Sequence, residues 1–70
     1  MINYKEIDEL CRQEIVDYDE KVRIAWGYMD RMRCPLSMAA PRLYEEIEEV
    51  VSDNFEDIVD DIDIEQIISC

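Results

Sequence analysis

Apolar residues recur along the first half of the chain at steps of three or four: Tyr4, Ile7, Cys11, Ile15, Tyr18, Val22, Ala25, Met29 and Met32. That spacing averages close to the helical repeat, so it draws one apolar stripe down a helix for about eight turns. Asn3 followed by Glu6 reads as an N-cap with its reciprocal partner, which sets the start. Cys34 precedes Pro35, and the residue before a proline is pushed out of the helical region, which sets the end. An unbroken helix here would be about 45 Å long, a length that strains so small a chain. Asp17 with Glu20 repeats the capping pattern, so residues 1–34 either break there into two helices or share one long helix with a second copy.

Pro35 and Pro41 forbid a continuous helix through the segment between them, which reads as a proline-bounded turn over 35–41. Within it Leu36 and Met38 close the end of the core, or else stand out as a knob for a partner. Pro41 suits the first turn of the next helix.

A second stripe follows: Leu43, Ile47, Val50, Val51, Phe55, Ile58 and Ile62, with Tyr44 and Val59 on its edges. On a helical wheel Glu45, Glu49, Asp53, Glu56 and Asp60 fall together on the opposite side, flanked by Glu46, Glu48, Asp57 and Asp61. Asp61 to Glu65 alternates like a strand, whereas Asp63 with Gln66 caps a short helix ending at Ile67 and Ile68. A lone strand has nothing to pair with, so a terminal helical turn is the better expectation. The pattern therefore predicts an all-α fold: an antiparallel helical hairpin or small three-helix bundle with a short C-terminal helical turn, acidic over 42–70. No internal repeat is visible.

Composition limits the picture further. The chain has 70 residues and is 49% hydrophobic, so it is one small domain over 1–70 and too apolar for a disordered acidic tail. A core of this size is marginal, and a homodimer would be one way to complete it. Cys11, Cys34 and Cys70 are an odd set with no CxxC pair, read as free thiols of a reducing, cytoplasmic setting. The first residues carry no signal-peptide pattern, and no apolar run is long enough to span a membrane. With no histidine, no phosphate-cradling loop and one glycine, neither an enzyme nor a metal or cofactor site is expected. The aspartates after Asp57 lack the spacing and the glycine of a calcium loop.

The formal net charge of −12 is unevenly spread. Residues 1–20 carry seven acids and two bases, a net of −5. Residues 21–42 carry five bases (Lys21, Arg23, Arg31, Arg33 and Arg42) against Asp30, a net of +4. Residues 43–70 carry eleven acids and no base, a net of −11. Direct contact with nucleic acid or an anionic membrane is disfavoured by this balance. If the second stripe is one helix to Asp61, its nine carboxylates from Glu45 onward lie about 24 Å end to end, one per roughly 2.7 Å. Duplex DNA carries one charge per about 1.7 Å of axis and a single strand one per about 3.4 Å.

That density points to a surface that imitates a nucleic-acid backbone and meets a basic nucleic-acid-binding protein. Its residues would be Glu45, Glu46, Glu49, Asp53, Glu56, Asp57, Asp60 and Asp61. In size, net charge and helicity the chain resembles the small acidic inhibitors that phages and mobile elements direct against nucleic-acid-binding defence proteins. The resemblance implies an inhibitor of a nuclease or a CRISPR effector. Two plainer readings stand beside it: a solvated acidic face, and self-complementation by the basic segment. A structural or adaptor module that homodimerises through its apolar stripes is the alternative function, with Trp26, Leu36 and Met38 as further interface candidates.

Overall fold

The computed structural model describes residues 2–69. Asn3 accepts the Glu6 amide at 3.2 Å, and α1 runs from there over Tyr4–Glu14. The chain then leaves the helix: Ile15 is extended and Asp17 is left-handed, at φ 56°. Of the two alternatives left open for residues 1–34, the break is the one found, but its capping chemistry differs from expectation. The Asp17 side chain makes no cap hydrogen bond, and its backbone carbonyl instead accepts the Lys21 amide at 2.9 Å. Aspartate tolerates the left-handed region better than most residues, so it serves this corner by conformation.

Helix α2 spans Tyr18–Met32 and stops at Arg33, also left-handed at φ 51°. The proline-bounded segment is not a bare turn, because Leu36–Ala39 forms a short helix, α3. Its first turn is tied to the Pro35 carbonyl, which accepts amides from Met38 and Ala39 at 3.0 Å. Helix α4, Pro41–Asn54, opens with proline at its first position, where a missing N–H is harmless.

The second stripe does not form one helix. Helix α4 ends at Asn54, and Glu56–Asp61 continue as a 3₁₀ segment. Asn54 turns its side-chain amide onto the Val50 carbonyl at 2.9 Å, a local bond that competes with continuing the helix. Extension would also place Glu56, Asp57, Asp60 and Asp61 at the negative end of the helix dipole. The chain ends in α5, Ile64–Ile68, whose N-cap Asp63 accepts the Glu65 amide at 3.1 Å.

Helix α1 packs on α4 and α5, α3 sits between α2 and α4, and the 3₁₀ segment lies on α4. The expected direct pairing of the two long stripes is thus divided among three partners. Their apolar sides meet in a single core of Ile7, Cys11, Ile15, Tyr18, Ala25, Met29, Leu36, Leu43, Ile47, Val51, Ile64, Ile67 and Ile68. Met32 ends the first stripe in sequence yet is exposed. Leu36 is fully buried, so it is a core residue and the partner-knob expectation for it is corrected. Two bonds tie the C-terminal helix down. The Asp63 amide donates to the Tyr4 hydroxyl at 3.3 Å, and the Trp26 indole N–H donates to the Ile68 carbonyl at 3.2 Å.

Candidate functional site

Around α4 the buried residues Leu43, Ile47 and Val51 take one side, and Glu45, Glu48, Glu49 and Asp53 stand exposed on the other. Glu46 lies at the edge and is half-buried, with a carboxylate oxygen 3.2 Å from Lys21 Nζ on α2. Among the described residues that is the only ion pair made by any acid after residue 42. Self-complementation by the basic segment therefore reaches one carboxylate.

The end of α4 changes the geometry of the expected stripe. A 3₁₀ segment repeats every three residues, so Asp57 and Asp60 share a side, while Asp61 aligns with Ile58. Asp60 is carried back towards α4 and lines a groove of about 590 Å³ with Glu45, Glu48, Glu49 and Asp53. Tyr44 and Val59 form part of its apolar lining. Glu56 and Asp57 border a separate depression with Asp53 and Phe55. Asp61 is exposed and lines neither. The single face of nine carboxylates is thus corrected to an α4 cluster joined by Asp60, with Glu56 and Asp57 meeting it at Asp53 across a second depression and Asp61 outside both. Along α4, Glu45 to Asp53 covers about 12 Å, so its four unpaired carboxylates fall one per roughly 3 Å.

Of the other interface candidates, Met38 is 73% exposed and Trp26 is 39% exposed with its indole N–H committed to the Ile68 carbonyl. Arg23, Arg31, Arg33 and Arg42 make no ion pair with any described residue. Three acidic or thiol groups never converge as a metal site would require among the described residues. Cys11 is buried and Cys34 half-buried, both as free thiols, and Cys70 lies outside the described residues.

Acids are used quite differently where α1 meets α2. Asp8 is buried at 7% exposure, with one carboxylate oxygen accepting from Arg12 Nε at 3.1 Å and the other from the Tyr18 hydroxyl at 3.2 Å. Arg12 also reaches Asp19, and its guanidinium carbon lies 5.8 Å from the centre of the Tyr18 ring. Burial, with the charges of Cys11 and Asp8 nearby, pushes the Tyr18 hydroxyl well above the usual phenol range. Burial and then the Asp8 charge push the Cys11 thiol up to about 11. Sequence reasoning missed this cluster. Its only local signal is the i,i+4 spacing of Asp8 and Arg12.

No helix among the described residues is long and apolar enough to cross a membrane. No protein-family model, curated protein or solved structure matches the chain, so its own residues carry the functional argument.

Proposed function

We propose that the chain is an acidic binding module whose α4 face, extended by Asp60, occupies a basic surface on a partner protein. One observation carries the reading. Among the described residues, Glu45, Glu48, Glu49 and Asp53 make no ion pair, and neither do four arginines elsewhere in the same small chain. A fold arranged only for stability would bring those charges together, since like pairs on a helix each cost a few tenths of a kcal/mol and opposite pairs return as much. Leaving them apart preserves a concentrated negative field, which draws a cationic groove and speeds association with it.

The partner class that fits is a nucleic-acid-binding protein, such as a nuclease or a CRISPR effector, inhibited by occupation of its groove. The spacing of roughly 3 Å per charge lies within the range of nucleic-acid backbones. No catalytic step, metal or cofactor enters this mechanism. It requires that binding weaken steeply with salt and be competed by DNA or RNA. The test is a pull-down from nuclease-treated lysate at low and high salt, using the wild type and a folded E45K/E49K/D53K variant. The reading expects nucleic-acid-binding proteins captured at low salt by the wild type alone. Capture of the same proteins by the variant would overturn it.

The adaptor alternative rests on a narrower surface than its stripes offered. Leu43, Ile47 and Val51 are covered within one chain, so homodimerisation would have to draw on the exposed Val16, Ile24, Trp26, Tyr28, Met32 and Met38. Native mass spectrometry showing a dimer that persists at high salt would favour it.

A further inference from the structure

Among the described residues, every large apolar side chain left exposed lies between positions 16 and 38. Three of them, Ile24, Tyr28 and Met32, follow at steps of four and form a seam along one side of α2. Ile24 and Tyr28 are shared by two adjoining depressions. The larger, about 490 Å³, runs between α2 and the corner where α3 meets α4, over the buried Ala25 and Leu43. Arg42 stands on its border, and the Lys21–Glu46 pair lines it as well. The smaller, about 230 Å³, lies beside Gly27 and Arg31. There the Arg31 guanidinium carbon is 5.7 Å from the centre of the Tyr28 ring. Neither Arg31 nor Arg42 meets a carboxylate of the described chain.

Gly27 adds an independent observation. A glycine inside a helix is less stable than alanine by about 1 kcal/mol. A Cβ at this position would meet nothing within 4 Å, so the fold has no need of the gap. The gap does leave the α2 backbone open to close approach beside Tyr28.

We infer that this seam is a docking groove for an acidic amphipathic helix from another protein. Its apolar side chains seat on Ile24 and Tyr28, its backbone passes over Gly27, and its carboxylates pair with Arg31 and Arg42. Charge selects this occupant over a second copy. A second seam meeting this one would bring no free carboxylate from its lining, since Glu46 is the one acid there and Lys21 already holds it. The α4 face of a second copy supplies carboxylates but none of the chain's large exposed apolar side chains. Duplex DNA lacks an apolar face to match the seam. The inference does not depend on the role proposed for the α4 face.

The test is an NMR titration of the isotopically labelled full chain with a designed helical peptide, leucines at every third or fourth position and glutamates between. A counterpart with lysine in place of glutamate serves as the control. The groove predicts saturable shifts at Ile24, Gly27, Tyr28, Arg31 and Arg42 with the acidic peptide only. Arg31→Glu with Arg42→Glu should weaken binding by about tenfold or more. Gly27→Gln should raise the melting temperature yet abolish binding, because a better helix former now fills the approach. E45K/E49K/D53K should bind the peptide no less well, which separates this outcome from the fate of the α4 reading. Absence of saturable shifts, or equal binding of the lysine peptide, would overturn the inference. So would the same shifts on raising the concentration of the protein alone, or on adding only duplex DNA or anionic vesicles.

Discussion

The α1–α2 corner and the α4 face use the same residue type to opposite ends. At the corner Asp8 is buried, accepts bonds from Arg12 and Tyr18, and shares Arg12 with Asp19. On α4, Glu45, Glu48, Glu49 and Asp53 are exposed and meet no cation among the described residues. A buried carboxylate must be satisfied or its desolvation is uncompensated, so the corner belongs to the fold. An exposed carboxylate faces no such demand. Its position is then open to requirements other than stability, and a run of four without a partner marks where such a requirement acts.

The comparison can be broken from the corner first, and the largest effect should come from alkali. Cys11 has its folded pKa raised to about 11, and Tyr18 is raised too, so the folded state holds these protons more tightly than the unfolded chain. Stability from these groups is complete below the unfolded thiol value near 9 and is lost as pH rises through it towards 11. Cys11 alone should account for roughly 3 kcal/mol of that loss, read from urea midpoints across the alkaline range. Cys11→Ala, compared at the same pH values, should flatten the first part of the slope. A stability constant to pH 11 would show that the corner is not sealed.

Next in size is Asp8→Ala, which strips Tyr18 and Arg12 of their shared acceptor and should cost about 2 kcal/mol. Tyr18→Phe, removing one donor and keeping the ring, should cost about 1 kcal/mol. Both are read by chemical denaturation, and a neutral Asp8→Ala would erase the distinction between the two regions. The smallest effect has the opposite sign. Glu49→Lys should stabilise the chain by a few tenths of a kcal/mol, because it introduces an opposite charge beside Glu45 and Asp53 on one face. A clear loss of stability would mean that Glu49 has a structural partner after all.

How far each region could be read in the sequence follows from the range of its interactions. The caps Asn3 and Asp63 were legible, and the break near Asp17 stood as one of two alternatives, because caps and corners act within a few residues. The α4 acids were legible as an exposed face because the helix period alone separates them from Leu43, Ile47 and Val51. The end of α4 at Asn54 was not, since Phe55, Ile58, Val59 and Ile62 satisfy both an α and a 3₁₀ repeat over so short a span. Glu56, Asp57 and Asp61 were misplaced for that reason. Leu36 and Asp8 were hidden by distance along the chain. Leu36 is covered only when α3 folds between α2 and α4, and Asp8 finds Tyr18 across the α1–α2 break.

The salt dependence of folding stability tests the central claim most directly. It needs no partner, and urea, being uncharged, can be used to measure it. Exposed charges are screened beyond a Debye length of about 10 Å at 0.1 M salt, so added salt relieves repulsion across an uncompensated face and weakens favourable pairing across a compensated one. With the α4 carboxylates left unpaired, the urea midpoint of the wild type should climb as sodium chloride is raised from low concentration, and the climb should be smaller in E45K/E49K/D53K. A midpoint that falls with salt in the wild type would show that the acids are already neutralised within the fold, and the α4 face would lose its claim to be a surface held ready for a cationic partner.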